Sequence, residues 1–463
     1  MSYSGPVITI ENFLSILSSS QDSGIAMLLV LLNMVIIALY LWRFGFRYKG
    51  RYNFTLVSML VGIYGVVMVL PSPIFFADSQ SSNRYAYLIS VQACPVLIIV
   101  GASVASAAMG WRRAGAHFEH FFCGPIRGTT MENLTVIRMM YRSFLAVSIV
   151  TFLAMVLTMP YVPLIGAMTH YGAADRLEVR LSVYTMSEGL QWLYALNLRL
   201  LLPFCVLYTY IMKRAEHSTR LAFYLTLTWT MVYSLLTFER QMPLAIFGLL
   251  FVASAVIRGR AKMLQKGLLV VGGMIAGGFV SLLQYNKALV DVTEAVRVFL
   301  IGRVWINPAW YASVMFARFG EGSFLFGKTI RLVSLFSESY RGDVKSFSFV
   351  ADMWVNFGWI GVICGPIIYG FTLQWIQLRY FRTRTASNLI IYMIFALNSM
   401  WLVYTSMLPT MAISVFSLGI AYMALTEMLT HKAHVRSSPL APTRRYDRGD
   451  PLREAWPGVE GPI

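Results

Sequence analysis

The chain has 463 residues, of which 57% are apolar and only 13% are charged, and its mean hydropathy is +0.63. An ordinary soluble domain carries roughly 25% charged residues, so this composition excludes a protein made only of soluble domains and indicates an integral membrane protein. The formal net charge is +17, and its distribution along the chain decides what it means.

Eleven apolar segments suit bilayer crossing, for which about 20 predominantly apolar residues are needed. We predict spans at residues 24–43, 54–76, 86–110, 143–167, 190–212, 221–238, 242–257, 267–285, 351–376, 386–404 and 408–430. Only Glu239, Arg240 and Gln241 separate the sixth span from the seventh, so these two form a tight helical hairpin or a broken pair. The predicted fold class is an all-α polytopic integral membrane protein.

Lys and Arg in the connecting loops predict the orientation, because basic loops stay on the cytoplasmic side. Basic clusters follow every odd-numbered span up to the ninth: Arg43 to Arg51, Arg112 to Arg142, Lys213 to Arg220, Arg258 to Lys266 and Arg379 to Arg384. This alternation places the N-terminus outside and the C-terminus inside. About 25 of the 38 basic residues then face inward. The net charge is a topology signal with attraction to anionic lipid, and it predicts no nucleic-acid partner.

The predicted domain organisation has three parts. Residues 1–23 form an outer N-terminal segment without the features of a cleaved signal peptide, residues 24–430 form the transmembrane domain, and residues 431–463 form a cytoplasmic tail whose composition predicts disorder. Three of the four cysteines lie inside predicted spans, and Cys123 lies in a cytoplasmic loop. No pair is therefore available for a disulfide in an oxidising compartment.

Two outer segments are rich in charge. Residues 286–350 form an outer loop of about 65 residues with helix-forming stretches, and outer loops of this length are usually functional. Residues 168–189 hold His170, Arg176 and Arg180. The two arginines are four residues apart, so on a helix both guanidinium groups point the same way.

Two further sites place charged side chains where burial of a charge costs free energy. Arg199 is about nine residues into the fifth span, or about 14 Å from its outer end at roughly 1.5 Å per residue. An arginine at that depth requires a partner or a wet cavity, and a buried structural ion pair is the alternative to a functional role. Glu239 and Arg240 at the turn after the sixth span suit either a binding site or an interfacial charged turn.

The outer-facing basic residues suit phosphate recognition, because guanidinium groups bind phosphate oxygens bidentately. If these basic residues converge above the bundle, they form a chamber that would hold a pyrophosphate. They are Arg176, Arg180, Arg199, Arg240, Arg297, Arg303, Lys328, Arg331, Arg341 and Lys345. Aromatic residues among them offer flat faces that stack on sugar rings, including Trp305, Trp310, Tyr340 and Trp354, although each of them, taken singly, suits a membrane-interface anchor better. Together they suggest a lipid-pyrophosphate-linked glycan as ligand.

Several motifs between about 190 and 375 also carry a family resemblance. They are Leu193 to Arg199 with Pro203, Thr237 to Pro243 around Glu239-Arg240, Arg303-Val-Trp-Ile-Asn-Pro-Ala-Trp310, Phe326-Gly-Lys328 through Arg331, and Val350 to Gly361 with Gly370. In their order and membrane placement the chain resembles the Wzy-type polymerases that join repeat units of bacterial surface polysaccharides, such as O-antigen, enterobacterial common antigen and exopolysaccharide.

The resemblance implies a GT-C-like, metal-independent glycosyltransferase without cofactors, in the bacterial inner membrane. It would join undecaprenyl-pyrophosphate-linked repeat units on the outer (periplasmic) face, among membrane lipids and with a chain-length regulator as a further partner. Arg240, Arg199 and Arg303 are the first candidates for pyrophosphate binding, followed by Arg176 and Arg180. The wider substrate-binding set adds Lys328, Arg331, Arg341, Trp305 and Tyr340. Glu239, Asp352 and His170 are the candidate bases.

Three other functions compete with this reading. An O-antigen ligase has a similar membrane fold, but that family places a His in its long outer loop, and residues 286–350 contain none. A secondary transporter predicts repeats with midplane charges in corresponding halves, and Arg199 has no evident counterpart. A non-catalytic assembly or flippase partner is the third alternative.

Overall fold

The computed structural model describes residues 21–42, 55–78, 83–109, 131–159, 162, 186–214, 220–237, 242, 246–250, 253, 307–319, 348–383 and 386–402, which are helical except for turns and caps. The helices are α1 (Gln21–Tyr40), α2 (Leu56–Tyr64), α3 (Ser72–Asp78), α4 (Arg84–Ala108), α5 (Met131–Thr158), α6 (Glu188–Leu196), α7 (Leu202–Arg214), α8 (Arg220–Leu236), α9 (Asn307–Arg318), α10 (Phe349–Thr383) and α11 (Ala386–Leu402). These ranges contain no strand.

Five segments of this described part are long and apolar enough to cross a membrane: Leu56–Phe76, Arg84–Ala108, Val136–Thr158, Gly189–Lys213 and Phe349–Tyr380. Large apolar side chains on their outer faces are exposed, with Leu157 at 84% and Ile360 at 73%, as expected for a surface in contact with lipid. The architecture is that of a helical membrane protein. Predicted spans 267–285 and 408–430 lie outside the described residues, so the count of eleven, the orientation and the GT-C likeness stay predictions.

The fourth span differs from its predicted position. The sequence predicts residues 143–167, whereas α5 begins at Met131 and ends at Thr158. Pro160 explains the earlier end, because the residue before a proline is sterically disfavoured in the helical conformation. The backbone N–H of Met159 makes the last helical hydrogen bond, to the carbonyl of Met155 at 2.9 Å.

Helices α4 and α10 form the closest helix pair of the described bundle. A Cβ atom built on Gly101 would lie 2.0 Å from the backbone oxygen of Ile367, and one built on Gly370 would lie 2.1 Å from the backbone oxygen of Ile98. Only glycine fits at either position, as is common where membrane helices pack closely through small residues. The two backbones therefore touch directly at the centre of α10.

The first turns of α10 fold back along the rest of the helix. The Phe349 and Tyr369 ring centroids lie 6.3 Å apart, although 20 residues of straight helix would span about 30 Å. The reversal occurs at Gly358, where φ is 56° and ψ is −140°. We call residues 349–357 the arm of α10. The predicted ninth span, 351–376, lies within a described segment long and apolar enough to cross a membrane, Phe349–Tyr380. Its first residues belong to the arm, and the long part of α10 is 359–383.

Replacing Gly358 by alanine is expected to lower the melting temperature of the purified protein. Only glycine adopts this backbone conformation without strain, which for another residue costs about 1–3 kcal/mol. Thermal unfolding in detergent measures the change. Gly189→Ala is the matched control, since a Cβ atom at Gly189 meets nothing within 4 Å. Equal melting temperatures for the two variants would show that the reversal does not depend on glycine.

Two π-helical turns interrupt the bundle, and each is followed closely by a proline. They cover Gly65–Val69, before Pro71, and Asn197–Leu201, before Pro203. Proline has no N–H, and its ring clashes with the carbonyl four residues earlier in a regular helix. The wider turn relieves this clash and frees backbone carbonyls for other partners.

Candidate functional site

Buried or half-buried polar side chains occur on four elements of the bundle. We call them the polar layer, and its members are Asn197, Arg199, Ser348, Asp352, Tyr369, Asn398 and Ser399. Three contacts link these elements to one another. The Phe349 ring lies beside the Tyr369 ring, the Tyr369 hydroxyl is 2.9 Å from the Ser399 hydroxyl, and Asn398 Nδ2 donates to the Arg199 carbonyl at 3.3 Å.

Arg199 lies in the π-helical turn between α6 and α7 and is half-buried. Pro203 cannot donate to the Arg199 carbonyl, and Asn398 Nδ2 from α11 does so instead. Such side-chain partners are needed inside a membrane, where unpaired backbone groups are costly. The turn thus holds a positive charge within a segment long and apolar enough to cross the membrane, as the sequence predicts.

Asn197 and Asn398 are buried without full hydrogen bonding. Asn197 is 0% exposed and Asn398 is 2% exposed. Neither amide atom of Asn197 has a hydrogen-bond partner, and Asn398 Oδ1 also lacks one, within the part of the chain that the structure describes. Buried polar side chains are normally paired, so these two amides mark the layer as a place where a polar ligand or water is expected.

The arm of α10 carries a buried carboxylate. Asp352 lies in the first turn of the arm and is 1% exposed. Asn356 Nδ2 donates to its backbone oxygen at 2.9 Å and to its carboxylate Oδ1 at 3.2 Å. The positive end of the arm's dipole favours a carboxylate at this position. Asp352 is therefore a buried, oriented carboxylate.

Helix α9 closes the bundle at the Gly358 end. The Tyr87 hydroxyl donates to the Ala309 carbonyl at 3.2 Å, and Trp354 Nε1 donates to the Phe319 carbonyl at 2.8 Å. The Phe316 ring stacks on the Trp354 ring with centroids 4.7 Å apart. Part of the predicted long outer loop is thus fixed to the arm that carries Asp352.

Of the sequence-predicted site residues, Arg199 and Asp352 lie within the described ranges and belong to the polar layer. The aromatic candidates Trp310 and Trp354 also lie there, and Trp354 is buried against Phe316. The others lie outside them: Glu239, His170, Arg240, Arg303, Arg176, Arg180, Lys328, Arg331, Arg341, Trp305 and Tyr340. The convergence of these basic residues above the bundle stays a prediction. The same holds for the aromatic residues of the loop that lie outside the described ranges.

Sequence reasoning missed Asn197, Asn398, Ser348 and Asn356. An asparagine inside an apolar span was an available but unspecific signal for the first two, because such residues also serve as interhelical hydrogen-bond partners. Ser348 and Asn356 carried no comparable signal, since their importance depends on the reversal at Gly358.

The arrangement offers a cation, a carboxylate and neutral amides inside an apolar bundle. A guanidinium stabilises an oxyanion, a carboxylate accepts a proton, and an amide binds hydroxyl groups. Among the described residues, no group of three His, Cys, Asp or Glu side chains is placed to hold a metal ion. The predictions of metal-independent chemistry and of no cofactor stay open.

Comparison with models of known protein families, with curated proteins and with solved structures found no match to this chain.

Proposed function

We propose that the protein is a membrane-embedded glycosyltransferase of the polysaccharide-polymerase type. It joins oligosaccharide repeat units carried on undecaprenyl pyrophosphate at the outer face of the bacterial inner membrane. Its partners are the lipid-linked glycan, the surrounding lipids and a chain-length regulator. The sequence resemblance between about 190 and 375 supports this proposal together with the composition of the polar layer.

One observation carries the proposal. The reversal at Gly358 folds the arm that carries Asp352 back along α10, and the Phe349–Tyr369, Tyr369–Ser399 and Asn398–Arg199 contacts link that arm through α10 and α11 to the turn that carries Arg199. The two residues suit the two halves of glycosyl transfer, because one stabilises negative charge and the other accepts a proton. In a straight helix Asp352 would lie about 25 Å along the axis from Tyr369.

The reaction requires both roles at once. A hydroxyl oxygen of the acceptor unit attacks C1 of the donor sugar, and the bond between C1 and the pyrophosphate oxygen breaks. The acceptor proton passes to the base, for which Asp352 is the described candidate. The electron pair of the broken bond stays on the pyrophosphate, where Arg199, with Arg240 and Arg303 as further candidates, stabilises the charge.

Reconstitution tests the proposal. The purified protein in liposomes is supplied with lipid-linked repeat units, with and without lipid A core as an alternative acceptor. Polymer formed without core supports the polymerase, whereas transfer only to core indicates a ligase. If neither product forms in vesicles that retain folded protein, the glycosyltransferase proposal is wrong.

Arg199→Gln is expected to reduce polymer synthesis about tenfold. Glutamine keeps hydrogen-bonding capacity but removes the charge that stabilises the leaving pyrophosphate. We expect a smaller loss than for a single oxyanion donor, because other arginines share the role. Radiolabelled repeat units in the liposome assay measure the rate. Arg199→Lys should retain more activity than Arg199→Gln, and equal activities would argue against a charge role.

A second function, transport of a lipid-linked glycan, is favoured by the arm of α10. Transporters commonly bind substrate at mid-membrane depth where a discontinuous helix presents its N-terminus, and the arm is such a short, reversed helix segment. Movement of a fluorescent lipid-linked glycan between leaflets, without polymer formation, would support transport over polymerisation.

A further inference from the structure

Two basic side chains, Lys213 and Arg220, lie where α7 ends and α8 begins. We call them the α7–α8 basic pair. Lys213 is the last residue of Gly189–Lys213, a segment long and apolar enough to cross a membrane, and Arg220 is the first residue of α8. The end of a spanning segment lies at the level of the lipid headgroups. The proposed function uses neither residue.

Aromatic residues of α8 hold the Lys213 side chain in one place. Its Nζ lies 4.6 Å from the ring centroid of Phe223 and 4.3 Å from that of Tyr224, and it donates to the Tyr224 hydroxyl at 3.3 Å. A cation is attracted to the faces of such rings. An ammonium group has three donors, so two remain for a ligand beside the one that Tyr224 accepts.

Arg220 lies on the same face of α8 as Tyr224. Side chains four residues apart on a helix are neighbours, with about 5–6 Å between their Cβ atoms. Because the Tyr224 hydroxyl also contacts Lys213, the two cations lie on either side of one tyrosine. Arg220 is exposed, and within the described part of the chain neither cation forms an ion pair. Residues 213–220 contain three basic residues and one acidic residue, so the segment is positive overall.

An exposed apolar stripe runs along α8 beside the basic pair. Leu221 and Leu225 are 65% and 60% exposed, and Val232 continues the stripe. These positions share one face of a helix, and a face of this kind suits contact with lipid. The row of Arg220 and Tyr224 lies about 100° around the same helix. Headgroup-binding and chain-binding surfaces therefore adjoin.

We infer that the α7–α8 basic pair binds the headgroup of one anionic phospholipid, whose acyl chain lies along the stripe. A phosphodiester carries only acceptors and one negative charge, which match an ammonium with unused donors and an exposed guanidinium. The positive end of the α8 dipole lies at the same place. A zwitterionic lipid brings its own cation, which the two protein cations repel. The inference is independent of the proposed function.

Native mass spectrometry of the delipidated full-length protein tests this inference. The probes are dioleoyl phosphatidylglycerol and dioleoyl phosphatidylcholine, which share their acyl chains. One molecule of phosphatidylglycerol should bind at least about tenfold more tightly than phosphatidylcholine, since each basic residue near an anionic headgroup contributes about fivefold. In Lys213→Gln/Arg220→Gln the affinity for phosphatidylglycerol should fall at least about tenfold.

A second pair of arginines provides the matched control. Arg138→Gln/Arg142→Gln removes the same number of charges from exposed positions of α5. Tyr141 lies between them, and its hydroxyl is 3.0 Å from that of Thr226 on α8, so the control lies near the same end of α8. This variant should keep its phosphatidylglycerol affinity within about twofold, because charges outside the site act through screening solvent.

A single substitution keeps the test valid if the double variant does not fold. Arg220→Gln changes an exposed residue and should leave the melting temperature unchanged, while the affinity for phosphatidylglycerol falls about fivefold. Arg138→Gln is its control. Equal losses in the two variants would show diffuse attraction by the net charge and would overturn the inference.

Inorganic phosphate distinguishes a lipid site from a general anion site. It should not displace phosphatidylglycerol, because it lacks the acyl chain that lies on the stripe. Displacement by inorganic phosphate, or equal affinities of the wild-type protein for the two lipids, would contradict the proposed site. The assay needs no turnover, so its result is separate from the outcome of the polymerase assay.

Discussion

Asp352→Asn is expected to reduce polymer synthesis by at least about 100-fold while the protein remains folded. A positioned general base contributes typically 10²–10⁴ in rate, and asparagine cannot accept the acceptor's proton. The substitution keeps the shape of the side chain and an oxygen that accepts from Asn356 Nδ2, which now binds Oδ1 at 3.2 Å. The structural role of the side chain is thereby preserved.

The same assay compares the three candidate bases. Asp352→Asn, Glu239→Gln and His170→Asn are measured in parallel with lipid-linked repeat units in liposomes, and melting temperatures report whether each variant folds. If Asp352→Asn makes polymer at the wild-type rate, Asp352 is not the base. A large loss in Glu239→Gln or His170→Asn alone would then assign the role elsewhere.

Hydropathy predicted most helix positions, because an apolar run of sufficient length has few alternatives to a spanning helix. Helices α1, α4 and α8 begin and end close to predicted spans, and so do the pairs α2–α3 and α6–α7, each taken as one segment across its π-helical turn. The misplaced fourth span shows where this reasoning fails. Apolar residues continue beyond Met159, but Pro160 ends the helix for a steric reason that mean hydropathy does not register.

The reversal at Gly358 could not be predicted in this way. Residues 349–380 are predominantly apolar, and a straight helix and a folded-back one have the same mean hydropathy. The signal was a single glycine among several in this stretch, and only its backbone conformation distinguishes it. Arg199 was recognisable from its charge alone, whereas the position of Asp352 beside the long part of α10 depends on the reversal.

The neutral members of the polar layer were harder still to predict. Asparagines in membrane helices often serve as interhelical hydrogen-bond partners, and Asn33 illustrates this role by donating to Gln92 Oε1 at 2.8 Å. Nothing in the sequence separates Asn33 from Asn197. The difference appears only when the partners of each amide are known.

Gly370→Leu is expected to prevent accumulation of folded protein. Its Cβ atom would lie 2.1 Å from the backbone oxygen of Ile98, and a backbone atom cannot move aside as a flexible side chain can. Helices α4 and α10 would have to separate, which breaks the hydrogen bond from Gln374 Nε2 to the Ser106 hydroxyl at 3.0 Å. Overpacking alone costs about 1–3 kcal/mol of folding stability and occasionally more. We expect a cost at the upper end of this range, because the added side chain would meet backbone atoms.

Fluorescence-detected size-exclusion chromatography of the tagged variants measures this effect. Gly370→Leu should lose most of the monodisperse peak, and Gly101→Leu should behave in the same way, because its Cβ atom would lie 2.0 Å from the Ile367 oxygen. Gly24→Leu is the control, since a Cβ atom at Gly24 meets nothing within 4 Å. A normal peak for Gly370→Leu would mean that α4 and α10 are farther apart than described.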